Sequence, residues 1–158
     1  MTRTLKAIIK IGDKATNFII TKNKRIILWD SIREGKDLVV SDVSFCLRIK
    51  STYAEELIKG KGRCLSEIVE NREDQMLAEV IEARVEQIFQ QIKNQLTSQG
   101  LLQNVSCFFI AKDDSYITDM DKLLSKITGL DVEVVDIETV AINIKKNSTL
   151  TNIVETYL

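Results

Sequence analysis

Histidine and proline are both absent from this chain, and the lack of histidine removes the commonest general base together with imidazole ligation of a metal. The three cysteines, Cys46, Cys64 and Cys107, are odd in number, far apart and form no Cys-x-x-Cys pair, so neither a disulfide framework nor a zinc site is indicated. Reduced, mostly buried thiols are expected instead. No charge of one sign dominates. With 22 basic and 23 acidic residues the formal charge is −1, which argues against attraction of the whole protein to nucleic acid or an anionic membrane and leaves only local patches. Long apolar runs are missing as well: no N-terminal stretch has signal-peptide length, and none approaches the ~20 apolar residues that span a bilayer. The expectation is a soluble, cytoplasmic protein without direct membrane insertion. Glycine is scarce, at 6 residues, and neither Gly-x-x-x-x-Gly-Lys-Ser/Thr nor Gly-x-Gly-x-x-Gly occurs.

What is present fits one domain, since 158 residues bury about two-thirds of their unfolded surface around a single core. Leu5, Ala7, Ile9 and Ile11 alternate with Lys6, Ile8 and Lys10, the period-2 signature of a strand. Phe18 to Ile20 and Ile26 to Trp29 are two more β-rich runs, joined through Lys22-Asn23-Lys24-Arg25, so the chain opens as a three-stranded antiparallel meander. After Gly35, the apolar residues Val39, Val43, Cys46, Leu47 and Ile49 follow helical spacing. Thr52 with Glu55 predicts a capping box for a second helix, which Gly60 is placed to end. Leu77, Val80, Ile81, Val85, Ile88, Phe89, Ile92 and Leu96 lie on one side of a long amphipathic helix over about 73–99, with Asn71 ahead and Gly100 behind. A strand at Val105 to Ile110, a helix over 118–128 ended by Gly129, a strand at Val132 to Val135 and a closing helix at Ser148 to Tyr157 complete the pattern. The order βββαα, long α, βαβα predicts an α/β domain with a mixed sheet covered by helices, residues 60–100 forming a helical insertion.

That order, with a turn after the first strand, resembles the second half of the actin/Hsp70-like (ribonuclease H-like) ATPase fold. The stretch "MLAEVIEARVEQI" at 76–88 resembles the start of the long helix in the second lobe of FtsA, the actin homologue of bacterial cell division, where a Leu-Ala-Glu-Val-Ile-Glu-x-Arg pattern recurs. "VVSDVSFCL" (39–47), "AEELIKGKG" (54–62) and "STLTNIVETYL" (148–158) echo the same family in its order. The resemblance covers nearly the whole chain but only the C-terminal half of a family member. No counterpart of the first lobe, with its own phosphate loop and polymer-contacting subdomain, or of the basic membrane-binding tail is expected.

The resemblance makes the opening hairpin the position of a second phosphate loop, Asp-x-Gly-Gly-Gly-Thr in the family, whose backbone amides hold phosphates and whose Asp orients metal and water. Such a loop needs close backbone approach without side chains or negative charge. Here Lys10 stands at the Asp position, Gly12 alone remains of the glycines, and Asp13, Lys14 and Ala15 replace Gly, Gly and Thr. A carboxylate facing a phosphate costs about 1 to 4 kcal/mol at an effective dielectric near 20. The family's Gly-Gly adenosine loop maps to Ala111-Lys112-Asp113-Asp114, while Glu55 and Lys59 sit where an acidic and a basic residue approach the ribose. Gly60-Lys61-Gly62-Arg63 has the wrong spacing for a phosphate loop and reads as a solvated basic turn. The pairs Asp113-Asp114 and Glu55-Glu56 lack a nucleophile or metal partner and read as solvated carboxylates. No cofactor and no enzymatic activity are expected.

The resemblance also implies a function that needs no ATP chemistry: the second lobe of the family receives the acidic and apolar C-terminal peptide of FtsZ, the tubulin-like division GTPase. Arg84 matches the basic residue of the helix motif, and Lys59, Lys61, Arg63 and Arg72 are candidates to add positive charge to a partner-binding groove. The plainer reading of Arg84 is an exposed charge paired with Glu55, Glu56, Glu82 or Glu86. Only Ser66 to Gln75 lie between the Gly-Cys region and the long helix, a shorter connection than the one the resemblance implies. The leading expectation is a non-enzymatic FtsA-like adaptor or regulator of cell division, a pseudo-ATPase acting at the division site. The alternatives are a module that self-associates or pairs with a separate chain of an actin-like assembly, and a cryptic ATP binder.

Overall fold

The computed structural model describes residues 3–136. The closing helix expected at 148–157 lies outside the described residues. Within them the order is β1 (Leu5–Ile11), β2 (Thr16–Lys22), β3 (Arg25–Ile32), α1 (Lys36–Leu47), α2 (Ser51–Lys61), α3 (Arg72–Ser98), β4 (Val105–Lys112), α4 (Met120–Thr128) and β5 (Asp131–Asp136), with single 3₁₀ turns at Ser66–Ile68 and Leu102–Asn104. The strands form one sheet in the order β3-β2-β1-β4-β5. β2 is antiparallel to β1 and β3, whereas β1, β4 and β5 run parallel, so the sheet is mixed.

Local chemistry explains most of the boundaries. The β2–β3 link is a two-residue turn in which Asn23 and Lys24 both take positive φ (52° and 64°), the handedness that matches strand twist. Opposite Ile20 and Thr21 the β3 register shifts, a bulge in this outer strand. The Asn71 side chain accepts hydrogen bonds from Glu73 N (2.9 Å) and Asp74 N (3.2 Å), capping α3, while Gly100 and Gly129 follow α3 and α4 at φ of about 70°.

Two expected signals give way. Thr52 and Glu55 form no capping box: α2 begins at Ser51, Lys50 occupies the cap position, and no side chain caps it. Gly60 lies inside α2 and does not end it. The helix closes two residues later at Gly62, whose N–H bonds to Ile58 O and where a Cβ would stand 2.3 Å from that oxygen. α1 also stops at Leu47, short of Ile49, because Arg48 turns left-handed at φ 57°.

One hydrophobic cluster joins a single face of the sheet (Leu5, Ala7, Ile9, Phe18, Ile20, Phe108, Ile110) to Val39 and Val43 of α1, Ala54 and Ile58 of α2, and Leu123 and Leu124 of α4. α3 adds Leu77, Ile81, Val85, Ile88, Phe89, Ile92 and Leu96 to the same cluster. At about 1.5–3 kcal/mol for each large side chain buried, this stripe outweighs every polar contact α3 makes. The 60–100 segment therefore shares the domain's core through α3, and α1 to α4 line one side of the sheet.

Candidate functional site

β1 and β4 run side by side, Ile9 opposite Ile110, and end at the two loops whose chemistry is in question. Just there Lys10 Nζ lies 3.4 Å from Asp113 Oδ2, bridging the two strand ends. The hairpin turn beyond Lys10 folds onto the start of α1: Gly12 O accepts from Lys36 N (2.9 Å) and Asp13 O from Asp37 N (2.8 Å). Free N–H groups at a helix start are a natural anion site, and here two of them are satisfied by the hairpin's own carbonyls. The approach is so close that a Cβ on Gly35 would stand 2.4 Å from Gly12 O and 2.7 Å from Asp13 O. Beside this contact, Lys36, Lys59, Asp114, Tyr116 and Thr118 line a cavity of about 70 Å³. Glu55 is exposed on α2, and Lys112 stacks over the Tyr116 ring at 5.7 Å.

The candidate partner-binding cations are dispersed into separate contacts. Arg84 is bound to Asp42 of α1 by two hydrogen bonds, Nε to Oδ2 at 2.6 Å and a terminal nitrogen to Oδ1 at 3.1 Å, and approaches Glu34 at 3.6 Å. The hydrogen bond to Asp42 raises its pKa above the ordinary arginine value. Gln87 and Gln91 also donate to Glu34, so this group clasps α3 to α1. Arg63 donates to Asp119 (2.8 Å), which Lys122 also approaches at 3.4 Å. Burial alone would push Asp119 up, but the hydrogen bond from Arg63, its charge and Lys122 hold it below the usual carboxylate range. Neighbouring Cys64 is buried, and desolvation with the nearby carboxylates pushes its thiol well up. Lys61 sits 3.8 Å from Asp74, Lys59 borders the small cavity, and Arg72 is exposed at the first turn of α3.

The partners of Arg84 are not the expected Glu55, Glu56, Glu82 or Glu86 but lie on and just before α1. The missed residues, Asp42, Glu34 and Asp119, carry no local motif. Asp119 alone had a signal, as the residue just before an apolar helical run.

The sequence matches the family described as Cell division protein FtsA over residues 7–153. The chain belongs to the FtsA family. Among curated proteins, no sequence match is found. Solved structures share the fold: MreB5 of Spiroplasma citri bound to AMPPNP is similar at a TM-score of 0.70 and 16% identity, covering 99% of this chain and 56% of that one. The ethanolamine utilization protein EutJ of Carboxydothermus hydrogenoformans is similar at 0.63 and 15% identity, covering 84% and 44% of the two chains. The PilM-PilN type IV pilus biogenesis complex matches at 0.67 and 13% identity, covering 96% and 42%. The chain thus spans about half the length of the structures it matches, and its fold is the actin-like α/β architecture expected from the element order. No helix among the described residues is long and apolar enough to cross a membrane.

Proposed function

We propose that this FtsA-family lobe is non-enzymatic and independent of nucleotide, and that it adapts or regulates the division machinery at the division site by binding protein. The closed cleft carries this reading. Lys10 is held by Asp113, the start of α1 is held by the hairpin carbonyls, and the adjoining cavity of about 70 Å³ is well short of the ~300 Å³ at which ligand pockets begin.

The partner in this proposal is the acidic and apolar C-terminal peptide of FtsZ. Phe45, Tyr53, Ile68 and Met76 stand at least 48% exposed on α1, α2, the turn after α2 and α3, while Arg48, Lys50, Lys59, Lys61 and Arg72 are exposed cations on the same run of chain. Apolar anchors interspersed with cations suit such a peptide. Arg84, engaged by Asp42, belongs to the support of this surface and is not one of its contacts. A fold relative solved as a complex, PilM with PilN, agrees with a protein-binding role.

Calorimetry tests both halves. Mg-ATP is expected to give no heat, and the FtsZ peptide a saturable isotherm weakened several-fold by Lys61→Glu with Arg72→Glu. Measurable Mg-ATP affinity would overturn the nucleotide-independent half, and absence of saturable peptide binding the partner half.

A further inference from the structure

The two outer strands of the described sheet carry opposite charge. β3 leaves a cationic turn, with Lys22, Lys24 and Arg25 exposed, and Arg33 is exposed just past its other end. β5, Asp-Val-Glu-Val-Val-Asp, exposes Asp131, Glu133 and Asp136. None of these seven side chains joins an ion pair among the described residues. Asp30, the one acid within β3, accepts a hydrogen bond from the neighbouring Ser31 N at 2.8 Å. β3 also bears Ile27 and Trp29 at 49% and 50% exposure.

We propose that these edges pair between copies of this chain, the acidic β5 of one lying beside the basic β3 of the next. The topology allows it without rearrangement. β3 and β5 both run parallel to β1, so a second copy displaced across the sheet sets its β3 parallel to the first copy's β5, with α1 to α4 of both copies on the same side. In that alignment Lys24 and Arg25, at the start of β3, lie beside Asp131 and Glu133 at the start of β5. Pairing β3 with β3 would set cations against cations, and β5 with β5 carboxylates against carboxylates, so charge selects the mixed contact. Backbone hydrogen bonds along the two edges supply the directional attraction. Because the joined surfaces differ, the contact repeats from copy to copy and does not close into a twofold dimer. Sheet twist turns each successive copy relative to the last.

Light scattering on the purified full chain tests this. The mass should rise with protein concentration at low salt and fall toward the monomer as salt screens the edge charges. Lys24→Glu with Arg25→Glu gives a chain whose two edges are both acidic, and Asp131→Lys with Glu133→Lys one whose edges are both basic. Each variant alone should remain monomeric with an unchanged melting temperature, and an equimolar mixture should assemble again. A wild-type mass that stays monomeric at every concentration would overturn the proposal, the charges then serving only to blunt the edges. So would assembly that survives in each variant alone, or a mixture that stays monomeric.

Discussion

Replacing Arg84 by alanine separates a structural clasp from a partner contact. The guanidinium makes two hydrogen bonds to Asp42 at 2.6 and 3.1 Å and lies 3.6 Å from Glu34, with the three side chains 19%, 30% and 21% exposed. An exposed ion pair contributes about 0–1 kcal/mol, and breaking a fully buried one costs about 3–5 kcal/mol. This pair lies between those limits, because its geometry is bidentate and its partners are less than one-third open to water. Removing Arg84 also leaves two carboxylates near one another without their shared cation. A loss of about 2 kcal/mol follows, or about 4–8 °C in melting temperature for a domain of this size. Urea unfolding of the wild type, Arg84→Ala, Asp42→Ala and the double variant should give a coupling of about 1–2 kcal/mol. Affinity for the FtsZ peptide, measured on the folded fraction, should stay within twofold of wild type. A melting temperature moved by less than about 1 °C together with lost peptide affinity would refute the clasp and return Arg84 to the binding surface.

Gly35→Ala should destabilise by about 1–3 kcal/mol, because the new Cβ would stand 2.4 Å from Gly12 O and both backbones there are tied by hydrogen bonds; urea midpoints check this, and a neutral result would show that the hairpin and α1 are not locked together. Asp119 has a folded pKa below its ordinary value, so its contribution is present above about pH 3.9 and is lost as pH falls through the lower folded value. Asp119→Asn should therefore lower stability at neutral pH and flatten the decline below about pH 3.9, measured as unfolding free energy against pH.

The meander, the long helix and the later strand-helix-strand were legible because their apolar periods are set by burial against one face of one sheet. Asn71, Gly100 and Gly129 were legible because a helix end needs either a side-chain acceptor or a left-handed residue, whatever surrounds it. Thr52 and Gly60 misled for a related reason. The chain enters α2 through the left-handed Arg48 and an extended Lys50, which places Thr52 inside the first turn, and only the close approach to Ile58 O fixes the exit at Gly62. At the site, the sign of charge at Lys10 and Asp13 could be read without a fold. The partners could not. Asp113 meets Lys10 through the parallel pairing of β1 with β4, and Asp42 meets Arg84 from 42 residues away across a helix contact. Periodicity shows which side of a helix is buried, but it does not show which acid on the next helix comes opposite.

The contacts between the opening hairpin and α1 also stabilise the domain, so under the proposed reading the cost of receiving a phosphate can be worked from the fold. To receive a phosphate, the start of α1 would have to release two backbone hydrogen bonds to Gly12 and Asp13, and Lys10 would have to leave Asp113. At about 0.5–1.5 kcal/mol net for each hydrogen bond and about 0–1 kcal/mol for the ion pair, opening costs about 1–4 kcal/mol before any ligand contact forms. That is a loss of roughly five- to a thousand-fold in affinity, before the repulsion between Asp13 and the incoming anion is added. Because the hydrophobic cluster beneath involves none of the turn residues 12–15, the contacts between this turn and α1 can change while the sheet and its helices keep their arrangement.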